Sequence, residues 1–151
     1  MSTVDAGVWV NGFDRREAGH ATSRQLREAL RLWALPIIVP TLVLAEVAGA
    51  ISWSRRDPVR AEAFAMTLGR LPNMTVVPLD VALGDQARAL AARYGLRGAD
   101  AVYATVAQQA GCTVISLDHE HLTRLDSIVV VRTPTVVLAD LGPPSSPSST
   151  V

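Results

Sequence analysis

The sequence predicts one α/β domain of three layers, in which a central parallel sheet of about four to five strands is covered by helices on both faces. Two observations carry this. Short runs rich in β-branched residues recur along the chain, and most are followed by a stretch with helical periodicity. The chain is also long and apolar enough (151 residues, 49% hydrophobic) to bury a core without a disulfide or structural metal.

The first element is an apolar stretch around Thr3 to Val10, followed by the polar segment NGFDRREAGH, which reads as a loop. From Ala21 to Ala34 the spacing predicts a helix with Leu26, Leu30 and Trp33 inward and a basic stripe of Arg24, Arg27 and Arg31 outward. That stripe reads either as a solvated face, with Glu28 among the arginines, or as a set of phosphate contacts. Pro36 to Val39 is a buried strand, and a nearly all-round apolar helix follows to about Trp53, which should be buried. Asp57 and Pro58 then form an N-cap and first-turn pair for a helix reaching Arg70. Met74 to Val77 is the next strand, and Leu83, Ala87, Leu90 and Tyr94 share a face of the helix after it. A turn from Gly95 to Ala99 leads into a helix from Asp100 to Ala110, closed by Gly111. Thr113 to Leu117 and Ile128 to Val131 complete the strands. The domain is expected to span 1–138, and the Pro/Ser-rich remainder, 139–151, to be a disordered tail.

Composition removes several classes of function. The formal net charge is zero, so any surface for nucleic acid must be local. All basic residues other than histidine are Arg, and the absence of Lys excludes Schiff bases and phosphate-loop lysines. The single cysteine, Cys112, allows no internal disulfide or multi-cysteine zinc site and reads as a small buried hydrophobe. No leader-like segment or membrane-length apolar run is present, so a cytoplasmic location is expected.

Chemistry concentrates in four acids. Ligands of open α/β sheets bind beyond the carboxyl ends of the strands. Asp5 falls at such an end in VDAGVWV, Asp118 in VISLDHEHL, and Asp100 opens a helix on the same side. Glu46 interrupts an apolar helix, where an unpaired charge costs several kcal/mol. Singly, Asp5 and Asp118 read as turn formers, Asp100 as an N-cap and Glu46 as a partly buried acid paired with an arginine. If they converge, two carboxylates about 4 Å apart repel by roughly 4 kcal/mol at an effective dielectric near 20, so the cluster must protonate or hold a cation. Hard oxygen donors select Mg²⁺ or Mn²⁺ over zinc, and phosphodiester hydrolysis by a metal-activated water, leaving 5′-phosphate and 3′-hydroxyl ends, is the natural chemistry. His119 and His121, two apart beside Asp118, have a spacing that could assist phosphate binding, but they read more as part of a polar loop than as metal ligands.

Four blocks in order, VDAGVWV, VPTLVLAEVAGAI, LRGADAVYATVAQQAG and CTVISLDHEHL, resemble the PIN domains, and among them the VapC-like toxins of toxin–antitoxin pairs. The resemblance runs to about Leu138. It implies that Asp5, Glu46, Asp100 and Asp118 are the metal-binding catalytic set, that the substrate is RNA, and that the protein dimerises and is inhibited by a small antitoxin. One position departs: Gly7 stands where the family often carries Ser or Thr. Ser116, two residues before Asp118, matches the family's other hydroxyl position.

Two other acidic-pocket folds fit less well. A haloacid-dehalogenase-type phosphatase needs an acid where Gly7 stands and a lysine, and a receiver domain also needs a lysine. A PIN-fold binding module without cleavage stands as the alternative: the intact acids favour the nuclease, and Gly7 favours the binder. Trp9, Trp33 and Trp53 lie among apolar neighbours and are expected in the core, although exposed tryptophans would suit an antitoxin groove.

Overall fold

The structure, a computed structural model, describes residues 1–142. In chain order its elements are β1 (Ser2–Val4), α1 (Ala6–Phe13), α2 (His20–Leu32), β2 (Ile37–Pro40), α3 (Leu42–Arg55), α4 (Pro58–Leu68) and β3 (Met74–Val77). The second half carries α5 (Val81–Tyr94), α6 (Gly98–Ala110), β4 (Thr113–Ile115), α7 (His119–Arg124), β5 (Val131–Arg132) and α8 (Pro134–Leu141). The five strands form one parallel sheet in the order β3-β2-β1-β4-β5, as expected of the alternating pattern.

Strand alternation divides the core. Ile37 and Val39 pack with Val8, Trp9, Leu26, Val43 and Val47 of α1 to α3 on one face. Ile38 points to the other, against Leu83 and Ala87 of α5 and Ala101 and Val102 of α6. Adjacent residues of β4 separate in the same way: Ile115 joins the first cluster, while Val114 packs with Ala104, Leu125 and Val131. Because both faces are covered, the strands carry apolar residues at successive positions rather than at alternate ones.

Several local expectations change. The strand expected around Thr3 to Val10 is only three residues long; the chain turns at Asp5 into α1, which buries Ala6, Val8, Trp9 and Gly12. Valine-rich sequence favours strand only weakly, and packing of this face overrides it. Gly98 rather than Asp100 begins α6, with Arg97 at the N-cap, so Asp100 lies in the first turn. The HEHLTR segment, expected as loop, is the short helix α7. The last strand lies at Val131–Arg132, later than expected, and residues 139–141 are the end of α8 rather than the start of a tail. Thr133 caps α8 by accepting a hydrogen bond from the Val136 N–H, and Pro134 occupies its first turn. The rest of the expected tail, 143–151, lies outside the described residues. Trp9 is core, Trp33 is half-buried, and Trp53 is 88% exposed, against the expectation for it.

Among the described residues no helix is long and apolar enough to cross a membrane.

Candidate active site

Strand order decides where the acids meet. From β1 the chain runs outward through β2 to β3 and then returns to β4 on the other side of β1, which puts the switch point of the strand order at the carboxyl ends of β1 and β4. Asp5 directly follows β1, and its backbone N–H donates to the Ile115 carbonyl at 3.0 Å. Val4 is in register with Ile115, which sets Asp5 beside Ser116. The Ser116 hydroxyl donates to Asp5 Oδ2 at 3.1 Å.

Glu46 approaches from α3, where Val43 and Val47 are buried and Glu46 itself is half-buried. Its Oε2 accepts a 2.6 Å hydrogen bond from the buried Tyr103 hydroxyl of α6. Asp100, one turn before Tyr103 on the same helix, has Oδ1 2.7 Å from His121 Nε2. His121 Nδ1 lies 2.8 Å from Ser116 Oγ and 3.8 Å from Asp5 Oδ2. The tertiary fold therefore gathers Asp5, Glu46, Asp100 and Ser116 and adds Tyr103, which sequence reasoning missed, and His121, which it read as part of a polar loop. Tyr103 had a legible signal: it stands three residues after Asp100, on the same helical face. The signal for His121 was weaker, because it required recognising α7.

Asp118 is placed differently. Its Oδ1 accepts from the Glu120 N–H at 2.8 Å and so caps α7, while its own N–H donates to Ser116 Oγ at 3.0 Å. Its backbone belongs to the cluster, and its carboxylate serves the N-terminus of α7.

Burial raises the affinity of two acids for protons. Desolvation pushes the Asp5 carboxyl above its ordinary value, against the opposing influence of His121 and Ser116. Glu46 is raised chiefly by desolvation and further by the charges of Asp5 and Asp100, with Tyr103 and His121 opposing. These acids are close enough to resist joint ionisation, the condition under which a cation is most favoured.

One oxygen each of Asp5, Glu46 and Asp100 is held by Ser116, Tyr103 or His121, and among the described residues the other accepts no side-chain hydrogen bond. Carboxylates oriented by a second set of donors are the usual arrangement around a metal, and all-oxygen acids suit a hard divalent cation. The donor chemistry fits such an ion. Closure does not: among the described residues, no group of three or more His, Cys, Asp or Glu side chains could hold a metal ion as it stands.

At Gly7 a Cβ would lie 3.3 Å from Asp5 Oδ2. A Ser or Thr there would crowd the oxygen to which Ser116 donates.

Arg24, Arg27 and Arg31 line a cavity to which none of these acids contributes. It measures about 470 Å³, lies between α1, α2 and α4, and is also lined by Arg15, Phe13 and Phe64. Arg24 pairs with Glu28 at 3.1 Å. Arg27 donates to the Gly12 carbonyl at 2.9 Å and stacks over the Phe64 ring at 5.2 Å.

A family model for the PIN domain matches residues 3–128. No curated protein matches the sequence significantly. Solved structures do resemble the fold. VapC20 of Mycobacterium tuberculosis, a sarcin-ricin loop cleaving toxin, is 22% identical, with 87% of this chain and 99% of that chain covered and a TM-score of 0.70. A toxin–antitoxin complex from Klebsiella pneumoniae is 19% identical over 89% of this chain and 98% of that one, with a TM-score of 0.63. FitAcB of Neisseria gonorrhoeae gives 19% identity, 89% and 99% coverage, and a TM-score of 0.63. Given the family match over most of its length and the parallel sheet with acids at its switch point, this chain belongs to the PIN domain family.

Proposed function

We propose that this protein is a divalent-cation-dependent endoribonuclease and the toxin of a toxin–antitoxin pair. The observation that carries the reading is the convergence of Asp5, Glu46 and Asp100 at the carboxyl ends of β1 and β4, each with one oxygen held by an internal donor. Asp5, Glu46, Asp100 and, after release of its helix cap, Asp118 would hold Mg²⁺ or Mn²⁺. Bound there, the cation would offset the mutual repulsion of the acids, draw in a phosphodiester and acidify a water for attack. Ser116 keeps Asp5 oriented, and Tyr103 keeps Glu46 oriented, so that their remaining oxygens stay available to the ion. Arg24, Arg27 and Arg31 are the proposed contacts to the RNA backbone. The toxin assignment draws on relatives described as toxins and as toxin–antitoxin complexes; a cognate antitoxin, a homodimer and a cytoplasmic location belong to the same reading.

The decisive experiment is cleavage of a mixed RNA pool with Mg²⁺ or Mn²⁺, comparing wild type, Asp100→Asn and an EDTA control. Metal-dependent cutting that leaves 5′-phosphate ends and disappears in Asp100→Asn is the expected result. A folded, inhibitor-free protein that cuts nothing would instead favour a PIN-fold binding module, the reading that Gly7 favours.

A further inference from the structure

His121 is 4% exposed on a six-residue helix, and both of its ring nitrogens are engaged by groups from other elements. Its hydrogen bonds form part of a continuous chain. Ser116 has one hydroxyl proton and donates it to Asp5 Oδ2, so its oxygen accepts from the Asp118 N–H and from His121 Nδ1–H. At the far side of the ring, Nε2 lies 2.7 Å from Asp100 Oδ1. The rigid imidazole thus spans the gap between the end of β4 and the first turn of α6, linking Asp5 to Asp100 through Ser116. A histidine buried only for packing would not need both nitrogens aimed at the acid cluster.

We propose that His121 is a positioning residue of the carboxylate site: it fixes the rotamer of Asp100 and the hydroxyl direction of Ser116, and so presents the remaining oxygens of Asp100 and Asp5 to a cation. The inference rests on the cation-dependent reading above. Without the ring, Asp100 regains side-chain freedom and the Ser116 oxygen loses a hydrogen-bond partner, so cation affinity falls while the arginines of α2 are untouched.

The test compares wild type, His121→Ala and His121→Gln by calorimetric titration with Mn²⁺ and by cleavage kinetics. It adds nuclear magnetic resonance of the ring nitrogens in metal-free wild type, Ser116→Ala and Asp100→Asn. His121→Ala is expected to bind Mn²⁺ about 10- to 100-fold more weakly, with kcat reduced and KM for RNA unchanged. His121→Gln, whose amide can donate to Asp100, should recover part of the affinity. In the metal-free spectra, Ser116→Ala should move the Nδ1 resonance and Asp100→Asn the Nε2 resonance. A folded His121→Ala that binds Mn²⁺ as tightly as a binding-competent wild type overturns the proposal, as do ring nitrogens indifferent to both substitutions. If wild type itself binds no Mn²⁺, the cation-dependent function falls, and with it the role of His121 in presenting oxygens to a cation. The ring spectra then report whether the hydrogen-bond chain exists in its own right.

Discussion

The Tyr103 hydroxyl reaches Glu46 Oε2 across 2.6 Å, joining α6 to α3 at the one acid that interrupts an otherwise apolar helix. Read singly, the sequence paired Glu46 with an arginine; among the described residues its side-chain partner is the phenol of Tyr103 instead. Replacing Tyr103 by Phe keeps the ring and deletes the donor, leaving the carboxylate less well satisfied. Loss of a hydrogen bond to a charged group predicts a stability decrease of about 1.5–3 kcal/mol, read from the denaturant midpoint at pH 7. An unchanged midpoint would mean that solvent replaces the bond fully.

Glu46 also predicts an unusual pH dependence. Its folded-state affinity for protons is raised above the ordinary value of 4.5, chiefly by desolvation. Between 4.5 and that raised value the native state binds more protons than the unfolded chain, so this group's contribution makes stability fall as pH rises through the window. Glu46→Gln, which retains an acceptor for Tyr103, should raise the melting temperature at pH 7 in EDTA and flatten the slope above pH 4.5. The same variant should lose most metal-dependent cleavage. A lower melting temperature in EDTA would contradict the idea that this carboxylate is held at a cost.

Asp14 has the opposite sign. Its side chain is 2% exposed; it accepts from Arg16 and from Arg55, the latter at 2.6 Å, and ties the end of α1 to the end of α3. Hydrogen bonds from Arg16 hold its carboxyl at about 2, below the ordinary 3.8. A depressed carboxylate contributes stability that is present above 3.8 and lost as pH falls toward 2. Asp14→Asn should therefore lower the melting temperature at pH 7 and weaken the acid-induced loss between pH 4 and 2. Thermal melts across that interval decide it.

The arginines of α2 make a separable prediction. If Arg24, Arg27 and Arg31 each meet a phosphate, replacing all three with Gln weakens RNA binding and reduces the salt slope by about 0.7 per contact on single strands. Arg27 contributes least if its bond to Gly12 and its place over Phe64 persist with RNA bound. Binding measured from low to moderate salt, with an unaltered slope in the triple variant, would remove these residues from the interface.

Much of the architecture was legible because burial leaves a pattern. Met74 to Val77 stands as a strand within the residues expected, and Asp57 caps α4 by accepting the Arg60 N–H at 3.0 Å. Short or weakly patterned elements were not. β1 has only three residues and passes at Asp5 into a valine-containing helix, so local propensity pointed to a longer strand. α7 has six residues, too few to display a helical period, and its polar sequence resembles a loop.

The candidate site divides along the same line. Residue type and order along the chain are sequence properties, so Asp5, Glu46, Asp100 and Asp118 could be named from sequence, together with the hard-cation chemistry that four acids would share. Only tertiary structure decided that Asp5 stands beside Ser116, that Tyr103 satisfies Glu46, that His121 bridges Ser116 and Asp100, and that Asp118 caps a helix. Those pairings join residues from separate elements, and their geometry follows from the register of β1 with β4 and the packing of α3 and α6, which no local run of sequence encodes.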